Sequence, residues 1–221
     1  MIKSIFLKEW LKLKRVWLLV LLLNLCCMAY LLIVIRHQFQ IEHSEMIWYW
    51  SFELRRLLYD EIKYIPLLTG LVIAIAQYLP EMINHRFRLS LHLPLQAHLQ
   101  VLIWIGFGAL MGGVIALIDM ASLYLIIKGW FPTEAAASAL LTAAPWFLAG
   151  WVSYFGATLV MVEPHVPQRL VYLLMSLAFL ALLYLEKGYQ EYDHALPVMI
   201  LLALLMAPAI ILPVHRYRHR S

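Results

Sequence analysis

The stretch from Val16 to Ile35, VWLLVLLLNLCCMAYLLIVI, runs for 20 residues without a charged side chain. A helix of about 20 apolar residues crosses the hydrocarbon core of a bilayer. The run is too long for the apolar part of a signal peptide, and no small-residue cleavage site follows it, so it is expected to stay as a first membrane span. Reading outward, comparable runs occupy about 62–80, 99–127, 139–162, 170–185 and 195–214. The expected fold is an all-α membrane protein of six transmembrane helices, with residues 1–221 forming a single transmembrane domain.

Composition points the same way. The chain is 64% hydrophobic and only 14% charged, with a mean hydropathy of +0.80, whereas soluble domains are about 45–50% apolar and about 25% charged. A soluble globular enzyme is excluded, and so is a disordered chain, which needs low hydrophobicity. At roughly 35 residues per span and loop, six spans use up the length and leave no room for a soluble domain of about 50 residues. Cys26 and Cys27 are adjacent inside an apolar run, which reads as core or lipid contact rather than a disulfide framework.

The net charge of +4 is read as membrane topology, not as a nucleic-acid interface. With six spans, Lys3, Lys8, Lys12, Lys14, Arg15, Arg86, Arg88, Arg169, Arg216, Arg218 and Arg220 share one side, 11 of the 17 basic residues. Nine acidic residues lie on the other side. Basic residues are retained in the cytoplasm, so both termini are expected there.

Between the spans, three segments carry patterns. At the N-terminus, Ile2, Phe6, Trp10 and Leu13 share one helical face, and Lys8, Lys12 and Arg15 another. This predicts an amphipathic interfacial helix over 1–15 with its basic side toward headgroups. The long connection 36–61 ends in EMIWYWSFELRRLLYDEI, where Ile47, Trp50, Leu54 and Leu57 recur at helical spacing. Glu53–Arg56 and Arg56–Asp60 are expected pairs. This helix either anchors the chain through Trp48, Tyr49, Trp50 and Tyr59 or covers a substrate path. The connection after span two, PEMINHRFRLSLHLPLQAH, has a charged side with Glu81, Arg86 and Arg88 and an apolar side with Leu91 and Leu93 before Pro94. Pro80 is expected to end the second span. Such a helix is either a docking element for a soluble partner or a solvated loop.

Inside the spans, Asp119 is the one well-embedded acid and a possible pathway residue, since such groups face a bundle interior or a water path. Glu163 reads as a boundary residue near His165 and Arg169. Gly108 and Gly112 form GxxxG, a pattern for helix packing within the chain or between subunits. His85, His92 and His98 are too widely spaced for a tight ligand pair, and the chain carries no HExxH, CxxC, GxxxxGK[ST] or GxSxG.

The residues Glu81, Arg86, Arg88, Leu89, Leu91, Leu93, Pro94 and Leu95 resemble the loop between spans two and three in permease subunits of type-2 ABC exporters. The six-span layout with a basic N-terminal helix is similar too. Two features differ. The Gly and Thr common in that family's loop are absent, and 186–194 is too short for the re-entrant hairpin of many members. The resemblance implies a coupling helix on Glu81, Arg86, Arg88, Leu91, Leu93 and Pro94 that docks on a separate ATP-binding cassette ATPase. ATP and Mg then belong to that partner. This chain would hold no cofactor, metal or catalytic residue, and would pair with a second permease copy or a paralogue. The implied function is export across a bacterial cytoplasmic membrane, with a lipid or amphiphile as a possible substrate. The alternatives are a membrane-embedded enzyme or a non-transporting assembly factor.

Topology is testable directly. Cysteine placed by Ser221→Cys is expected to react with an impermeant thiol reagent only after the inner membrane is permeabilised. Labelling from outside intact cells would invert the assignment.

Overall fold

In hydrocarbon every backbone N–H and C=O must be bonded within the protein, and a helix does this segment by segment. The computed structural model describes residues 2–54, 56–83, 97–185 and 188–219, and among these every regular element is helical. In chain order the helices are α1 (Ile2–Ile41), α2 (Ser44–Phe52), α3 (Ile65–Ile83), α4 (Ala97–Lys128), α5 (Thr133–Val162), α6 (Val166–Leu183), α7 (Leu196–Ala209) and α8 (Ile211–His219), with a 3₁₀ turn at Asp60–Ile62. Six stretches are long and apolar enough to cross a membrane: Lys3–Ile41, Asp60–Ile83, His98–Lys128, Thr133–Val162, Val166–Leu183 and Leu196–Tyr217. Six spans were expected, and the described residues contain six.

The breaks have local causes. Gly129 and Pro132 separate α4 from α5. The extended backbone of Glu163 and His165 around Pro164, with Pro167 in the next first turn, separates α5 from α6. Pro197 sits in the first turn of α7, where its missing N–H costs no hydrogen bond. Pro208, inside α7, precedes the junction with α8 at Ile210, so the sixth span is two helices rather than one. Pro80 does not end the second span. Helix α3 continues to Ile83, and its last turn is held by side-chain pairs from α1 described below.

Helix α5 is the hub. It buries residues around its whole circumference and packs most extensively on α3, then on α4 and α6, and also on α7 and α8. The α3–α5 crossing is set by two glycines. A Cβ on Gly70 would lie 1.9 Å from Gly150 O, and one on Gly150 would lie 2.8 Å from Pro66 O. The Ser153 hydroxyl donates across the same crossing to Leu67 O at 2.8 Å. At the residue next to Gly70, Asn24 of α1 donates to Thr69 Oγ1 at 3.0 Å and fastens α1 to α3. Helix α6 lies outermost and buries only Ser176 and Leu183.

Three core clusters form; one joins Leu148, Val152, Leu183 and Met199, and the other two lie at opposite ends. Of these two, one gathers Ile5, Leu13, Tyr78, Trp104, Leu159 and Val214 and is here called the basic end. The other gathers Ile35, Ile47, Tyr59, Ile127, Phe131 and Trp146 and is called the acidic end.

Two details depart from the sequence expectation, the side on which Lys12 lies and the length of the helix in 36–61. The N-terminal segment is helical, but it runs unbroken into the first span, and its inward stripe is Ile5, Glu9 and Leu13. Phe6 and Trp10, assigned to the apolar face, are exposed at the outer surface, with the Phe6 ring edge-on to Phe107, whereas Lys12, assigned to the basic face, turns inward, because its counter-charges lie inside. The helix in 36–61 stops at Phe52. Asp60 pairs with Lys63 at 2.8 Å rather than with Arg56. Trp48 and Phe52 pack on Phe131, and Tyr59 is buried against Trp146, so part of the expected headgroup belt is core.

The glycine crossing yields a prediction. Gly70→Ala and Gly150→Ala force backbone apart from backbone and should each cost about 1–3 kcal/mol. Gly106, whose Cβ would meet nothing within 4 Å, is the control. Thermal unfolding in one detergent should show lowered midpoints for the first two and none for Gly106→Ala. Equal midpoints for all three would remove the crossing from its role.

Candidate functional site

At the basic end, α1 and α3 place two carboxylates and two ammonium groups together. Glu81 sits in the last turn of α3, and its Oε1 lies 2.9 Å from Lys8 Nζ and 3.1 Å from Lys12 Nζ. Lys12 also pairs with Glu9 at 2.9 Å, across one turn of α1. Glu9 is 1% exposed, and its second oxygen accepts from Gln77 Nε2 at 3.0 Å. Gln77 also donates to Trp104 O at 2.9 Å, and its Oε1 accepts from the Tyr154 hydroxyl at 2.8 Å. Lys8 lies over the Trp104 ring at 5.7 Å. The result is one connected polar chain from the end of α3 into the second half of α5, with two positive and two negative charges.

That balance makes the cluster tolerable. Buried charges are costly unless paired, and removing one partner of a buried pair typically costs about 3–5 kcal/mol. Neutral Gln77 and Tyr154 carry the chain deeper without adding charge.

Of the sequence-selected docking residues, only Glu81 lies within the described part; Arg86, Arg88, Leu91, Leu93 and Pro94 lie outside it. Glu81 is not a free docking charge. It is buried and bonded within the chain. Gly108 does pack helices, but against side chains: a Cβ there would lie 2.1 Å from Tyr154 Oη and 2.2 Å from Gln77 Oε1. Its missing side chain is the space that the polar chain occupies. Gly112 faces Ile73 at ordinary contact, 3.5 Å.

Asp119 is 1% exposed, and its Oδ1 has no hydrogen-bond partner among the described residues. It borders a cavity of about 20 Å³ beside Gly70 and Gly150, whose polar lining also includes Thr69 and Tyr154. That volume holds about one water. Glu163 is held differently. Its Oε1 accepts from His165 N–H at 3.1 Å, and Oε2 lies 3.2 Å from Arg216 Nη1, an ion-pair contact without hydrogen-bond geometry. Arg169 donates to Glu163 O at 2.7 Å, and Arg216 to the Tyr172 hydroxyl at 2.9 Å. The boundary residue therefore ties the C-terminal helix to the α5–α6 turn. No group of three or more His, Cys, Asp or Glu among the described residues is arranged to hold a metal.

Sequence reading missed Glu9, Gln77 and Tyr154 as site members. Gln77, in the run IAIAQYL, was the available signal: an amide amid aliphatics needs a partner. Its partners come from α1, α4 and α5, far apart in the chain.

Compared with protein-family models, curated proteins and solved structures, the chain matches none.

The polar chain should behave as a unit. Lys12→Met leaves one unbalanced carboxylate and should destabilise by about 3–5 kcal/mol. Adding Glu81→Gln restores charge balance and should recover part of that loss. A double-mutant cycle on thermal stability measures this coupling; strictly additive effects would show that the residues act independently.

Proposed function

We propose that this chain is the membrane-spanning subunit of an ATP-driven exporter, working with a separate ATPase and with a second copy or a paralogue of itself. The observation that carries the reading is the clamp on the last turn of α3. The connection from 84 to 96 leaves α3 just after Glu81, and Glu81 is bonded through Lys8 and Lys12 to α1. Through Glu9, Gln77 and Tyr154 the same chain reaches α4 and α5. Force applied to that connection would thus reach four helices through specific hydrogen bonds rather than through compliant apolar contact.

In this proposal Arg86, Arg88, Leu91, Leu93 and Pro94 form the surface for the ATPase, and Glu81 is a positioning residue behind it. The chain has no GxxxxGK[ST], so nucleotide and Mg binding fall to the partner. ATP-driven closure of two ATPases would favour one arrangement of the paired bundles over another, and each ligand state must bind one arrangement better for this to work. The excess of basic residues around the termini supports placing this end in the cytoplasm of a bacterial cell. A membrane-embedded enzyme needs its polar groups at one depth, whereas Asp119 lies at the α3–α5 crossing and Glu163 at the basic end.

Mild-detergent purification should bring down an ATP-binding subunit with the wild-type chain. Arg86→Ala and Leu91→Asp should reduce that capture by about thirtyfold or more, the loss expected when a buried interfacial charge or apolar contact is broken. Glu81→Gln should keep the partner but lose transport-coupled stimulation of its ATPase. Glu45→Ala, on α2, serves as control. Unchanged capture and coupling in all variants would overturn the exporter reading.

A further inference from the structure

We infer that the acidic end of the bundle holds a binding site for an uncharged amphiphile, a lipid presenting hydroxyl or ester oxygens. This does not rest on the exporter reading, since the site lies at the end opposite the clamp and needs no second subunit.

The site is a cavity of about 340 Å³ between α2, the last turn of α4, the first turns of α5 and the segment around Gln190. Small-molecule sites typically enclose about 300–1,000 Å³. One wall is apolar, from Phe52, Ile127 and Phe131. The other carries Tyr59, Ser138 and Gln190. Because the walls come from helix ends, the cavity sits at the depth where headgroups meet acyl chains.

Three observations mark it as more than a packing gap. First, Tyr59 is 2% exposed, and although the Thr142 side chain interacts with its hydroxyl, no hydrogen bond of good geometry satisfies that hydroxyl among the described residues. Thr142 beside it already donates to Ser138 O and accepts from Gln190 N–H. A buried phenol bonded this weakly costs stability that a ligand oxygen would recover. Second, Gln190 has φ of +56°. That region is unfavourable for a residue with a long side chain and persists only where the surroundings enforce it. Here the Thr142 bond to its N–H, and the bond from the neighbouring Tyr189 hydroxyl to Arg56 O, hold the segment against the cavity. Third, among the described residues the lining contains no Lys, Arg, His, Asp or Glu. Its two phenols are held neutral, because burial raises both above the ordinary tyrosine value. A charged headgroup placed there would lose its water without gaining a counter-charge. Hydroxyl or ester oxygens, by contrast, match a phenol donor and an amide, and an acyl or glycerol carbon chain matches the Phe52–Phe131 wall.

The test uses the full chain in a zwitterionic detergent, so that no sugar headgroup competes. Native mass spectrometry with dioleoylglycerol should show one retained molecule per wild-type chain, and dioleoylphosphatidic acid should not be retained at this site. Tyr59→Phe keeps the ring and removes the hydroxyl; binding should weaken about three- to tenfold, the loss of one hydrogen bond. Ala135→Trp fills the cavity from a half-buried position and should abolish retention, whereas Ala137→Trp, on the exposed side of the same turn, should not. Equal retention by wild type, Tyr59→Phe and Ala135→Trp would overturn the site. Equal retention of the anionic lipid, weakened by the same substitutions, would overturn the uncharged class.

Discussion

The contact between Gly70 and Gly150 is the constraint from which the remaining packing follows. In lipid, helices gain little by hiding apolar surface from one another, so close approach of backbones and interhelical hydrogen bonds must supply the specificity. Here the glycines bring α3 and α5 close enough for Ser153 to reach a backbone carbonyl of α3. The register of everything else on those helices is then set. Gln77 lies two turns beyond Gly70, and Tyr154 one turn beyond Gly150, so the crossing carries both toward α4. Gly108 is where they find room, and the Tyr154–Gln77 bond forms in the space its missing side chain leaves. A single steric fact on one helix pair thereby positions the polar chain that ends at Glu81.

The same crossing explains why the two intramembrane acids differ. Glu163 lies where the chain emerges, within reach of Arg216 and the amide of His165, and its charge is absorbed by the connection it stabilises. Asp119 lies beside the glycines, where backbones rather than side chains fill the space. What remains is a void sized for about one water, next to an oxygen with no protein partner. One acid is used to tie helices together; the other is left with unmet hydrogen-bonding capacity in the hub of the bundle.

What was legible in the sequence follows a physical line. Span number and approximate bounds were readable, because charges are expelled from hydrocarbon and apolar length is set by bilayer thickness. The shortest span, 166–183, was also the one whose sequence run was shortest. Partnerships were not readable, because periodicity shows which residues share a face but not what the face meets. Lys12 was assigned to water and headgroups by its charge, yet Glu81, its partner, lies 69 residues away. The GxxxG of Gly108 and Gly112 was visible as a motif. Gly70 and Gly150, which make the closer contact, form no such motif, since each stands in a separate apolar run and the pattern exists only across the helix pair. The helix expected through 45–62 stopped at Phe52, because burial of Tyr59 on Trp146 and of Ile62 in the core outweighed the weak charge pairs that would have extended it.

The two ends of the bundle solve opposite problems. At the basic end, charges are drawn inward and neutralised pair by pair, so a displacement of the last turn of α3 must break or shift charge-assisted bonds that are strong and directional. At the acidic end, aromatic rings and neutral hydroxyls form the core: Ser51 and Thr142 are buried there, and the Asp60–Lys63 ion pair stays at the surface. The link between them is α5, whose buried surface runs from Ala136 at one end to Val162 at the other. A helix packed on every side cannot shift without displacing its neighbours. Tilting α5 about the Gly70–Gly150 contact would move Tyr154 and Ala139 in opposite senses, since they lie on either side of that pivot along the helix. A clamp rearrangement that tilts α5 in this way would be felt at the wall of the opposite cavity, with Pro145, between the two, as the point where the helix could instead bend.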